Sequence, residues 1–119
     1  MKIRLSSKRA PVAITEDQQG AIDALGNDLE NLLNASRKYP DLASLSAAMR
    51  INIWTLHKIK KGIPTGPTVT VGTIYLVAEK LDAEVIPTVP TDDWDHKTPL
   101  SRLWRMGGTV RLVARAVRP

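Results

Sequence analysis

The sequence predicts a mainly α fold of four to five helices, with short β-strand or extended segments at the termini. Three observations predict it. Apolar residues recur at helical spacing over four stretches, and Thr15, Asp41, Asn52 and Thr70, all suited to capping, stand where those stretches begin. Strand-like patterning is limited to MKIRLS, the β-branched AEVIPTV and TVRLVARAV. At 119 residues the chain is one small domain, read as a basic arm or strand over 1–14, a helical unit over 15–89, and a linker with a basic C-terminal segment over 90–119. With three Trp, two Tyr and no Phe, the interior must be filled by Leu, Ile, Val and Ala.

The first helix opens at Thr15, with Glu16 and Asp17 favouring the positive end of the helix dipole. Ile22, Leu25, Leu29, Leu32 and Leu33 form its inner face; it should run to about Lys38, and Pro40 stops it. Gly26 in its interior should weaken it by roughly 1 kcal/mol relative to Ala. Asp41 caps a second helix with Leu42, Leu45 and Met49 inward, ending at a tight turn at Arg50. Ile51 plugs the corner, and Asn52 caps a third helix, Ile53 to Lys61, with Leu56 and Ile59 inward. GIPTGPTVT is a loop by its Gly and Pro content, and Thr70 caps a fourth helix to about Leu81. AEVIPTV reads as an edge strand because of Pro87, and PTDDWDHKTP as a linker or irregular wrap. From Pro99 onward the pattern fits either strand or helix. Both leave an apolar face beside an Arg stripe, a candidate dimerisation element.

Charge distribution is informative. The formal net charge is +5, and no acid occurs between Asp41 and Glu79, where Arg50, Lys58, Lys60 and Lys61 sit. Both tails are also basic and acid-free, over residues 1–15 and 96–119. A surface kept free of carboxylates suits a polyanion, and double-stranded DNA is the best candidate.

The segment LASLSAAMRINIWTLHKIKKG resembles the helix-turn-helix of the Cro and lambda-repressor type, also called xenobiotic-response-element-like regulators. The family's pattern falls here on Leu45, Ser46, Ala47, Ala48, Met49, Arg50, Ile51 and Asn52, then Leu56, Ile59 and Gly62. TIYLVAEKLDAEV carries the family's fourth-helix rhythm on Ile74, Val77, Ala78 and Leu81, so the resemblance spans roughly residues 20 to 86. Arg50 departs from it: the family usually has Gly there, where the turn favours positive φ. The resemblance implies a repressor-like helix-turn-helix domain, a third helix lying in the major groove, and dimerisation through a C-terminal strand or helix.

On that footing Asn52, Ile53, Trp54, Thr55, His57 and Lys58 are the candidates for reading bases, with Lys58 able to reach guanine or a phosphate. Apolar Ile53 and Trp54 can meet the thymine methyl, which predicts A·T content in the half-site. Trp54 has a structural alternative, packing on a neighbouring helix or on the N-terminal arm. Phosphate contacts are assigned to Arg50, Lys60, Lys61, Thr65, Thr68, Thr70 and Ser44, with Lys8, Arg9, Arg111 and Arg115 as tail contacts. The bland reading gives the threonines only capping and turning roles.

Nothing points to an enzyme. There is no Cys nucleophile, no paired His, no phosphate-cradling Gly-rich loop and no acid pair in an apolar setting, so neither catalytic residues nor cofactor nor metal is expected. DDWD at 92–95 reads as a solvated or capping stretch. No apolar run reaches a membrane span and no signal-peptide core is present, so a soluble, cytoplasmic protein without a membrane partner is expected. The favoured function is a homodimeric, sequence-specific transcriptional regulator on a roughly palindromic operator, a design common in phages and toxin–antitoxin operons. The alternative is an antitoxin-like adaptor whose termini bind a protein partner.

Overall fold

The computed structural model describes residues 14–66 and 68–115. Of the basic arm or strand expected over 1–14, residues 1–13, with Lys8 and Arg9, lie outside the described residues. The chain runs α1 (Glu16–Ala35), α2 (Leu42–Met49), α3 (Ile53–Lys60), α4 (Val71–Leu81), β1 (Ala83–Thr88), α5 (Leu100–Arg105) and β2 (Thr109–Ala114). The fold is therefore mainly helical, with five helices and one two-stranded antiparallel sheet among the described residues.

α1 is the element against which α3, α5 and β2 pack. Its start is a capping box: Thr15 Oγ1 accepts the Gln18 N–H at 3.1 Å and Gln18 Oε1 accepts the Thr15 N–H at 3.0 Å. The Gln18 amide also donates to the Trp104 carbonyl at 2.8 Å, tying this end to α5. Ile22, Leu25, Leu29, Leu32 and Leu33 are all buried, as their spacing predicts. The helix stops at Ala35, short of the expected Lys38. Ser36 takes an extended backbone, its hydroxyl accepts the Tyr39 N–H at 3.0 Å, and Tyr39 turns into the core. Burying that ring requires the chain to leave the helix early, so Arg37 and Lys38 do not serve its last turn.

Three helices end by one device. After α3, Gly62 (φ 72) lets its N–H reach the Ile59 carbonyl at 3.2 Å and the Ile63 N–H reach Lys58 at 2.9 Å. After α5, Gly107 (φ 79) and Gly108 bond back to Trp104 and Leu103, each at 3.0 Å. After α2 the same pair runs from Arg50 to Ala47 (3.2 Å) and from Ile51 to Ser46 (3.1 Å), but the left-handed residue is Arg50, at φ 58 and ψ 42. A side chain there costs on the order of 1 kcal/mol. Arg50→Gly should therefore raise stability by about 1 kcal/mol, less the extra chain entropy of Gly, read as a higher urea midpoint at unchanged slope.

The ambiguous C-terminus resolves into both forms. Leu100–Arg105 is helix, and from Thr109 the chain is strand, with Val110 and Leu112 inward and Arg111 and Val113 outward. β2 pairs with β1 in the register Ala83↔Ala114 to Thr88↔Thr109. Pro87 fits because the two-stranded sheet asks no second partner of β1. Leu100, Leu103, Trp104, Val110 and Leu112 join the same core as the residues of α1 to α4, so much of the stretch read as linker and tail is interior. Residues 94–99 wrap over the start of α4. The Val71 and Gly72 amides donate to the carbonyls of Thr98 and His96, both at 2.9 Å, and the His96 ring stacks on Tyr75 at 4.3 Å.

Candidate nucleic-acid interface

α2 and α3 are joined through Arg50, Ile51 and Asn52. Leu42, Leu45, Met49, Leu56 and Ile59 are buried, and Ile51 is half-buried against them. Asn52 Oδ1 accepts the Trp54 N–H at 2.8 Å, which caps α3 and fixes where its first turn points. With Leu56 and Ile59 inward, helical geometry turns Trp54, Lys58 and Lys61 outward on one stripe, and all three are exposed. His57 lies beside that stripe with its ring 5.4 Å from Trp54. Trp54 is 64 % exposed, which removes the alternative of packing on a neighbouring helix among the described residues. Thr55 and Ile53 are half-buried on the two flanks.

Ile53, His57 and Lys60 turn to one side, along a groove of about 350 Å³ whose opposite wall includes Glu30 of α1 and Asp41 at the start of α2. The chain is acid-free from 42 to 78, but the fold brings two carboxylates to the flank of α3. Sequence reasoning missed this, because Glu30 carries no local mark of its distance from α3. The Ser44 amide, and then its side chain, hold the Asp41 carboxyl below its ordinary value. Asp41 is thus an anion seated at the N-terminus of α2, where the dipole favours one.

That arrangement changes which predicted phosphate contacts remain open. The Ser44 N–H donates to Asp41 Oδ1 at 2.8 Å and its hydroxyl to the Asp41 carbonyl at 2.9 Å, so both donors are spent locally. Of the loop threonines, Thr65 is buried with its hydroxyl lacking a hydrogen-bond partner among the described residues, Thr70 is half-buried beside Pro99, and Thr68 is exposed. Thr70 stands at the cap position of α4 without making the side-chain cap bond expected of it. The Val71 and Gly72 amides are already taken by the 94–99 wrap, and a phosphate could not share them. Arg50 and Lys61 stay exposed and Lys60 is half-buried.

Arg111 is bound by Asp28, Nε to Oδ2 at 2.7 Å and a second guanidinium nitrogen to Oδ1 at 3.0 Å. This pairing raises its pKa above the ordinary arginine value. Arg115 lies 3.5 Å from Asp82 at an exposed site. Asp95 accepts the Lys97 N–H at 2.8 Å, a turn role within the DDWD stretch. Among the described residues no group of three or more His, Cys, Asp or Glu could hold a metal ion, and no helix is long and apolar enough to cross a membrane.

No protein-family model matches the chain, and no curated protein or solved structure matches it. The resemblance to repressor-type regulators therefore rests on the residues quoted above.

Proposed function

We propose that this protein is a sequence-specific, repressor-like DNA-binding regulator that acts as a homodimer on a roughly palindromic operator. The observation that carries the reading is the outward stripe of α3: Trp54, Lys58 and Lys61 exposed, flanked by His57 and preceded by Asn52, directly after a tight turn bearing Arg50. Such a helix can enter a major groove with its first turn against base edges, while the lysines reach phosphates. Two copies on successive grooves would stand about 34 Å apart, and occupancy of the site would block or recruit polymerase.

Selection from random-sequence duplex pools at two salt concentrations tests this. An enriched inverted repeat supports the reading, whereas weak binding without enrichment, lost at the higher salt, sinks it. On the enriched site, Lys58→Ala should lower the slope of log affinity against log salt by about one, the signature of one lost phosphate contact. If the slope is unchanged, Lys58 does not touch a phosphate.

The alternative, an antitoxin-like adaptor, draws on the outer sheet face, where Ile86 and Val113 are 46 % and 47 % exposed. The same face is the one offered to a second copy in the homodimer. A monomer by sedimentation at concentrations that bind DNA would favour the adaptor.

A further inference from the structure

The tip of α3 is better equipped to meet methyl groups than amino groups. Trp54 is the most exposed large apolar side chain among the described residues, leans on His57 with the ring planes tilted by 43°, and belongs to no core. Ile53 adds a half-buried branched side chain beside it. The acceptors near the tip are the half-buried Thr55 hydroxyl and the His57 ring, with the carboxylates of Glu30 and Asp41 on the flank beyond His57, and Trp54 itself offers none. The carboxamide oxygen of Asn52 is occupied by the Trp54 N–H, leaving the Asn52 amino group as a donor. Lys58 only donates, and α3 contains no carboxylate. In the major groove a cytosine offers an N4 donor, which calls for an acceptor, whereas a thymine offers a C5 methyl, which calls for an apolar surface. The exposed Lys58 and Lys61 supply the charge complementarity that brings a duplex to this tip.

We propose that Trp54, with Ile53 at its flank, is a specificity-determining contact for the C5-methyl group of major-groove pyrimidines. At the position it touches it would favour thymine over its unmethylated analogue uracil, and 5-methylcytosine over unmethylated cytosine. Thymine and 5-methylcytosine carry the same methyl at the same place in the groove and differ at position 4, where thymine offers an acceptor and 5-methylcytosine a donor. Occupancy of the site would then respond to cytosine methylation. The inference rests on the DNA-binding reading above.

Three random-sequence duplex pools test it with wild type and Trp54→Ala: an ordinary pool, one with every thymine replaced by deoxyuridine, and one with every cytosine replaced by 5-methylcytosine. Wild type should enrich thymine at defined positions of a repeat in the ordinary pool and lose that preference in the deoxyuridine pool. On the enriched duplex, affinity should fall about fourfold per contacted methyl removed, the factor for burying one methyl-sized group. In the third pool 5-methylcytosine should appear at those positions more often than cytosine does in the ordinary pool. Trp54→Ala, shown folded by circular dichroism, should bind the ordinary duplex as wild type binds the deoxyuridine one, with no further loss on removing the methyl. A repeat enriched identically in all three pools overturns methyl reading and leaves the DNA-binding reading intact. No enrichment in any pool overturns both and assigns Trp54 to a protein groove.

Discussion

Gly26→Ala is expected to destabilise the protein by about 2 kcal/mol, although helix propensity alone would make it stabilising by about 1 kcal/mol. The reason is the close crossing of α1 over the end of α3. A Cβ at Gly26 would stand 2.6 Å from both the Ile59 and the Lys60 carbonyl oxygens. Those are backbone atoms, so no side-chain rotation relieves the clash. Relief requires the two helices to separate, and overpacking of this kind costs typically about 1–3 kcal/mol, sometimes more. Gly20→Ala is the internal control. It lies in the same helix with nothing within 4 Å of its would-be Cβ, so it should gain the propensity term that Gly26→Ala cannot. Urea unfolding of both variants decides it. If the two midpoints move upward together, the close helix crossing is wrong. Because the clash falls on the last turn of α3, Gly26→Ala should also disturb the Trp54–Lys58–Lys61 stripe. It links packing to the proposed DNA affinity, whereas Gly20→Ala should leave both intact.

The same glycine shows where sequence reading stops. Its cost to an isolated helix is a local property and is legible; its necessity is a tertiary one and is not. The inner faces of α1 to α4 were legible because burial on one side imposes a 3.6-residue period, and Leu25, Leu45, Leu56 and Ile74 obey it. The turn at Arg50 was legible as a position wanting positive φ. The stop at Ser36 was not, because it depends on Tyr39 finding room in the core. The same limit applied to the surface of α3. Leu56 and Ile59 fix which side faces outward, which places Lys58 from spacing alone, whereas Trp54 needed the structure because spacing also allows it to pack on a neighbouring helix. Nothing local to Thr65 or Thr70 indicates that residues 94–99 return to cover the start of α4 and consume its amides, or that Glu30 and Asp41 flank His57. The C-terminal run was ambiguous because so short a stretch suits either period. Gly107 and Gly108, by ending α5, left the following residues free to pair with β1.

Asp28→Ala is the second large effect expected, a loss of about 2–3 kcal/mol, and its origin separates two kinds of contact at one carboxylate. Asp28 Oδ2 accepts the Leu112 backbone N–H at 3.0 Å in a part-buried setting, while both carboxylate oxygens hold Arg111. The Arg111 side chain is 51 % exposed, so its ion pair is screened and contributes little, roughly 0–1 kcal/mol. The amide is different. Leu112 itself is buried, and an N–H left there without an acceptor costs about 1–3 kcal/mol. Asp28→Asn keeps an oxygen for that amide and should recover most of the loss, and Arg111→Ala should cost no more than about 1 kcal/mol. Equal losses for Asp28→Ala and Arg111→Ala would place the energy in the ion pair instead. The comparison also bears on the role of Arg111 as a tail contact. As long as Asp28 holds the guanidinium, a phosphate must compete with a carboxylate already in place. Arg111→Ala should therefore change duplex affinity less than Lys58→Ala does, and a larger effect at Arg111 would mean that the pair opens on the DNA.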